Sequence, residues 1–293
     1  MEKIKQEKFG EPWKKLAARW KKCYTPPGLP SKESINLYRQ FIKKSFKGLK
    51  YQPKALVLGA TPELRDILAS LKVEVSIVDI NIEMILAMTE LIKIKNRKEI
   101  IVKGNWTNMP FNSDYFDVVL GDLVWGNVPI FLQDNFLKEI KRVLKPNGYF
   151  IHKIAVIAHG WEKKSLDEVL DKYTKIPVSK NTAMELFCHF LCDVFDPKTG
   201  LSDSVKIKNQ LKKYWKNGKY EYPNKKITKL LNDIWEMWEP MEKVWAINYE
   251  KVAFKQFSQY FKILDKKYVR DCHFIEMDKQ YPIWFCQVKN KVI

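Results

Sequence analysis

Ala55-Leu56-Val57-Leu58-Gly59-Ala60-Thr61-Pro62-Glu63 is the stretch whose reading decides the fold. Four apolar residues in a row, bounded by a turn, suit a strand buried on both faces, as in a parallel sheet. Gly59 ends the run, and a helix opens at once, with Thr61 as its N-cap and Pro62 at its first position. Strand, glycine turn and helix N-terminus together make a nucleotide cradle. The glycine lets a ligand approach the backbone, and the unsatisfied amides of the first helical turn receive its polar groups. One glycine in place of three makes the turn a general signal, so the stretches around it carry the rest of the reading.

Towards the C-terminus the pattern continues as short β-branched and leucine-rich runs at 73–79, 99–105, 116–122 and 149–157, alternating with helical stretches that begin near Pro62, Asn81 and Pro129. Alternation of this kind predicts βαβ units and a parallel sheet. Asp79 ends the second run twenty residues after Gly59, where a carboxylate can accept both hydroxyls of a ribose. The competing reading of Asp79 is a helix cap before Asn81. After Ile157 the chain has helical periodicity from about 161 to 261, interrupted by turn signals at 197–200, Asn217-Gly218 and Pro223-Asn224. Strand-like runs then return at 261–268, 272–277 and 282–288. On the N-terminal side, Pro12 opens an amphipathic helix carrying Trp13, Leu16, Ala17 and Trp20 and ending near Cys23, and 25–30 break it. Ser31 then caps a second helix with Ile35, Tyr38, Ile42 and Phe46 along one side.

The 293 residues carry 46 Lys and 6 Arg against 34 Asp and Glu, a net charge of +18. Residues 1–54 hold 15 basic and 4 acidic side chains, 55–155 hold 12 of each, and 156–293 hold 25 and 18. The excess therefore lies outside the strand-rich segment. Such a surface can attract nucleic acid, an anionic membrane or an anionic substrate. Dedicated phosphate and base readers favour the arginine fork, so the lysine bias is read first as a solvated surface. The apolar runs are shorter than the roughly 20 residues that span a bilayer, and the first residues hold no secretory pattern, which predicts a cytoplasmic protein without a membrane partner. Five scattered cysteines, an odd number, argue against a disulfide framework. Cys188 and Cys192 share a helical face beside His189, but a metal site needs further ligands and none is assigned.

At this point several stretches resemble the class I S-adenosylmethionine-dependent methyltransferases. Leu58 to Asp66, reading LGATPELRD, is similar to a variant first motif, LGxTPELRD, in which the usual glycine-rich turn is replaced. Val78-Asp79-Ile80-Asn81 resembles the acidic second motif, and Gly104-Asn105-Trp106 is similar to the G-D-W after the third strand, with Asn105 in place of aspartate. Phe116 to Asp122, FDVVLGD, resembles the fourth motif, and Phe136 to Phe150, FLKEIKRVLKPNGYF, the helix, turn and fifth strand. The resemblance covers about 53–157 well and the last strands loosely. It implies a Rossmann-like α/β fold: a mostly parallel seven-stranded sheet with helices on both faces. The implied organisation is an N-terminal helical lid (1–50), a cofactor-binding core (51–160), a helical insertion or cap (161–262) and final strands completing the sheet (263–293).

The same resemblance implies S-adenosylmethionine as cofactor, with S-adenosylhomocysteine as product. Gly59, Ala60, Thr61, Pro62 and Glu63 would line its methionine part, and Asp79, with Ile80 and Asn81 beside it, would hold the ribose. Asn105 would read the adenine amino group, and Trp106, after Gly104, would pack on the ring unless it is ordinary core. Gly121 and Asp122 would stand where donor and acceptor meet, Asp122 receiving the cofactor ammonium or steering a substrate group. Methyl transfer is a direct displacement, so alignment can supply much of the rate. Where the acceptor must lose a proton, Asp122 and His159 are the candidate catalytic groups, although a surface histidine in a loop beside Gly160 is the stronger reading of His159. His152, His189 and His273 are read as structural. Trp125, Trp161, Trp235, Trp238 and Trp245 favour an enclosed pocket for a small-molecule acceptor under the cap. RNA methylation, favoured by the charge, and cofactor binding without catalysis, permitted by the departures at the glycine turn and Asn105, remain open. NAD-dependent oxidoreduction suits the later motifs less well.

Overall fold

A computed structural model describes residues 20–95 and 97–289. The first described helix is α1 (Trp20–Cys23), and the readings of Pro12, Trp13, Leu16 and Ala17 lie outside the described residues. Helix α2 (Lys32–Ser45) starts where Ser31 was expected to cap it, the Ser31 hydroxyl accepting from the Ser34 amide at 3.0 Å. It buries Tyr38, Phe41 and Ile42 against the sheet.

The centre is a seven-stranded sheet of β1 (Lys54–Leu58), β2 (Glu74–Asp79), β3 (Glu99–Lys103), β4 (Phe116–Asp122), β5 (Leu144–Lys153), β6 (Phe261–Lys267) and β7 (Ile283–Val288), in the order β6-β7-β5-β4-β1-β2-β3. Neighbours from β3 to β5 are parallel, and β7 runs antiparallel to both β5 and β6. Residues of β1 and β4 are buried on both faces, which is why those strands read as unbroken apolar runs. Helices α2, α3 (Pro62–Ser70) and α4 (Ile82–Thr89) cover one face, while α5 (Gln133–Val143) and α10 (Glu250–Tyr260) cover the other. The order reverses at β1/β4, so the carboxyl ends of β1, β2 and β4 flank a crevice.

The ELRD part of the first variant motif has a structural use. Arg65, fully buried, binds Glu99 at the start of β3 through two hydrogen bonds of 3.1 and 2.5 Å. Asp66 accepts from the amides of Lys93 and Ile94 at 3.1 Å and pairs with Arg97 at 3.2 Å. Together they lock α3 to the edge strand β3.

Between β5 and β6 the chain forms α6 (Leu166–Thr174), α7 (Lys180–Asp193), α8 (Ser204–Leu211), α9 (Lys225–Trp238) and α10. Nearly every side of α7 is buried, because α6 and α9 flank it while its other face meets the core; a helix apolar all round belongs inside such a layer. Short ladders join the pieces: Leu201–Asp203 with Val244–Ala246, and Asn248–Tyr249 with Val156–Ile157 beyond β5. Helix α10 belongs to the sheet rather than to this cap, since Ala253 and Phe257 pack among Trp125, Phe150 and Trp284.

Three expectations are corrected. The run 272–277 is not a strand: Asp278 accepts from the amides of Asp271 and Cys272, and a short helix, α11 (Ile275–Asp278), follows. No α-helix begins at Pro129; a 3₁₀ turn, Ile130–Leu132, precedes α5, which starts at Gln133. The fifth strand begins earlier than 149, at Leu144, and Asn147 (φ 63°) and Gly148 lie within it rather than in a preceding turn.

Candidate functional site

A cleft of about 1060 Å³, counting its open mouth, lies at the carboxyl ends of β1, β2 and β4. Gly59 forms its floor with φ of 76°, a left-handed conformation that favours glycine. A Cβ placed there would stand 3.7 Å from Asp79 Oδ2, 3.8 Å from Val124 and 3.9 Å from Trp106. Thr61 occupies the N-cap of α3 but makes no side-chain capping bond, so the first amides of that helix are left to other acceptors.

Asp79 divides its two carboxylate oxygens between the turn before α4 and the cleft. Its Oδ1 accepts from the Asn81 amide at 2.7 Å, fixing the turn into α4, while Asn81 itself caps that helix through Met84. Oδ2 faces Gly59. Burial pushes the Asp79 carboxyl up to about 6, against the pull of the Asn81 and Ile80 amides and of the Lys243 ammonium. Burial in turn brings Lys243 down to about 7, with Asp79 opposing.

Trp106 lines the cleft and donates from Nε1 to the Val78 carbonyl at 2.8 Å, with its ring edge-on to Phe136. It is thus both wall and anchored core. Gly104 and Asn105 line the cleft beside it. The Asn105 Oδ1 already accepts from the Thr107 amide at 3.0 Å and the Thr107 hydroxyl at 2.9 Å, which leaves the Nδ2 hydrogens as the free function of that side chain.

Asp122 completes the cleft from the end of β4. The Tyr38 hydroxyl stands 3.3 Å from its Oδ1, accepts from the Lys153 amide at 2.9 Å and donates to the Gly121 carbonyl at 2.8 Å. The Lys153 ammonium, fully buried, is held by the Pro27 carbonyl at 2.9 Å and Asp271 at 3.3 Å. Burial raises Asp122 to about 7, the Lys153 charge opposing and Glu63 reinforcing. A carboxyl poised there can give or take a proton at neutral pH.

Ala60, Thr61, Ile80 and Asn81 also line the cleft, whereas Pro62, Glu63, Gly121 and His159 are not among its walls. Gly121 lies just behind: a Cβ on it would meet Val124 at 2.7 Å and His152 at 3.0 Å. Glu63 has a buried Oε2 without a partner, and burial raises its carboxyl. His159 is exposed; Ala158 is tied by its amide to Gln280, and the chain turns outward after it. His152, whose pKa burial lowers to about 3, accepts from the Trp125 amide at 3.4 Å, while His189 and His273 pair with Asp193 and Glu185.

Sequence reasoning did not place Trp20, Met84, Met88, Asn127, Val128 and Pro129 on the walls. The segment 124–129 follows β4 at the switch point, where loops line ligand sites, and that signal could have found it. Among the described residues, no three His, Cys, Asp or Glu side chains group as a metal site, and no helix is long and apolar enough to cross a membrane.

Residues 59–152 match the profile of a methyltransferase domain. No curated protein matches the chain. Among solved structures, one from Methanosarcina mazei described as a SAM-dependent methyltransferase shares 17% identity, with 89% of this chain and 99% of that one covered and a TM-score of 0.51. The N-methyltransferase NodS from Bradyrhizobium japonicum, in complex with S-adenosylhomocysteine, shares 8%, with 97% and 100% covered and a TM-score of 0.51. A structure from Rhodobacter sphaeroides described as a Zn-dependent alcohol dehydrogenase shares 11%, with 96% and 99% covered and a TM-score of 0.59. At these identities the likeness is one of fold: the Rossmann-like methyltransferase sheet with its antiparallel seventh strand.

Proposed function

We propose that this chain, whose residues 59–152 carry the methyltransferase-domain pattern, transfers a methyl group from S-adenosylmethionine to a small-molecule acceptor held beneath the helical cap. The observation that carries the reading is the convergence of Gly59, Asp79, Trp106 and Asp122 on one cleft at the switch point of the sheet. These residues fit the cofactor chemically. The open α3 N-terminus suits the amino-acid end, Asp79 Oδ2 the ribose, and Trp106 with the Asn105 amide the adenine. When bound, the cofactor supplies an electrophilic methyl group; the chain's task is alignment and exclusion of water. The acceptor would enter beside Asp122, whose carboxyl can take a proton from it near neutral pH.

Calorimetry with S-adenosylhomocysteine tests the reading. Wild-type protein should bind it, and Asp79→Ala should lose about 1.5–3 kcal/mol, the range for hydrogen bonds to a charged group. Preference for NAD, or no loss in Asp79→Ala, would reject it.

A further inference from the structure

The cleft wall formed by Asp122 is backed by α2. Ser34 and Tyr38 lie one turn apart on the same face of that helix. The Ser34 hydroxyl donates to Asp271 Oδ2 at 3.3 Å, and the fully buried Tyr38 brings its hydroxyl to Asp122 Oδ1 at 3.3 Å. Lys153 touches both ends of this face. Its amide donates to the Tyr38 oxygen at 2.9 Å, and its ammonium is tethered to Asp271 at 3.3 Å and to the Pro27 carbonyl at 2.9 Å. Among the described residues, Tyr38 supplies the side-chain hydrogen bond to Asp122. The charges that face the carboxyl from β5, α3 and the loop before α11, namely Lys153, Glu63 and Asp271, act on it without one.

A phenol has one hydrogen to give and oxygen lone pairs with which to accept. Tyr38 accepts from the Lys153 amide, while the Gly121 carbonyl at 2.8 Å and Asp122 Oδ1 share what is left. With Asp122 protonated every group is satisfied: the acid donates to the phenol, and the phenol donates to Gly121. With Asp122 ionised the carboxylate can only accept, so the phenol hydrogen turns to Oδ1 and leaves the Gly121 carbonyl. Burial, then the Asp122 charge, hold the Tyr38 pKa well above the usual phenol range, so that hydrogen changes partner and is not lost.

We infer that Tyr38 is a positioning residue for Asp122: its hydroxyl follows the proton of that carboxyl, and α2 thereby sets how the acid is held at the cleft and how readily it ionises. The use made of that proton rests on the proposed function. When an acceptor N–H or O–H yields its proton to the Asp122 carboxylate, the phenol hydrogen returns to the Gly121 carbonyl, and no charge is left on the helix. The carboxyl is held at the same oxygen before and after, so the transfer needs no side-chain rearrangement.

Carbon-13 NMR of protein labelled at its aspartate carboxyl carbons, titrated without cofactor, tests this; the resonance missing from Asp122→Asn identifies Asp122. In wild type it should titrate at about 7. In Tyr38→Phe, which keeps the ring and removes the donor of the ionised form, the midpoint should rise by about half a pH unit or more, roughly a threefold gain in proton affinity. Phe41→Leu loosens the same helix where Phe41 stacks on Phe285; it should lower Tm and leave the midpoint within about 0.2 of wild type. An unchanged midpoint in Tyr38→Phe overturns the inference. An equal rise in Phe41→Leu also overturns it, because the effect would then be one of helix packing. Should Tyr38→Phe not fold, tyrosine labelled at the hydroxyl-bearing ring carbon decides the matter in the wild-type protein. One tyrosine resonance should move with the Asp122 midpoint and lose that movement in Asp122→Asn; its absence overturns the inference. Calorimetry with S-adenosylhomocysteine judges the functional reading separately, since the titration needs no ligand.

Discussion

Replacing Gly59 by alanine separates folding from binding at a single atom. The added Cβ meets no protein atom closer than 3.7 Å, so packing alone tolerates it. The cost to the fold comes from the backbone: at φ of 76° a non-glycine residue is strained by roughly 1–2 kcal/mol. For a chain of this size that lowers Tm by only a few degrees. The methyl group nevertheless projects among Asp79 Oδ2, Val124 and Trp106, the walls around the place where, on the proposed function, a nucleoside touches the backbone. A ligand there would lose contact with the turn or be displaced by an ångström or more, a loss of at least about tenfold in affinity, or 1.4 kcal/mol. Circular dichroism melting and calorimetry with S-adenosylhomocysteine on the same preparation measure the two effects. A variant that folds and binds as tightly as wild type would refute the assignment of Gly59 as cradle. A variant that does not fold would show the strain argument to be wrong by several kcal/mol.

Two further outcomes are expected. Burial raises the folded-state pKa of Asp122 to about 7, above its ordinary value of 3.8, so the stability linked to its proton is complete below about 4 and lost as pH rises through 7. Without cofactor, the Tm of Asp122→Asn relative to wild type should therefore climb between pH 4 and 8; a flat difference would show that Asp122 titrates normally. The basic surface should behave as solvated lysine: filter binding of mixed tRNA should fade near physiological ionic strength. Tight binding there, lost on reversing Lys14, Lys15, Lys21 and Lys22 to glutamate, would promote RNA as the acceptor.

The sheet was legible because β1, β2 and β4 lie between two helical layers, which forces continuous apolar runs that no amphipathic helix shows. Elements whose conformation is set by distant partners were not. The run 272–277 has strand-forming residues, yet the Glu185 carboxylate, nearly ninety positions earlier, takes the amides of His273 and Phe274 and the Asp278 carboxylate takes those before them. The site divides in the same way. Gly59, Asp79, Asn105, Trp106 and Asp122 follow strand ends and can be read by position along the chain. Trp20 reaches the cleft from a segment far away in sequence, and only the packing of α1 on the core places it.

The Tyr38 hydroxyl bonds at the carboxyl ends of the paired strands β4 and β5, joining the Gly121 carbonyl to the Lys153 amide. Backbone groups at the end of a ladder need partners from elsewhere, and here the suture comes from a helix that precedes the whole sheet. The segment carrying the domain pattern, 59–152, is thus a unit of chemistry and not of autonomy: excised, it would lack β1, the antiparallel strands and the phenol that closes its seam. Any transplantation of this site onto another scaffold has to carry α2 with it.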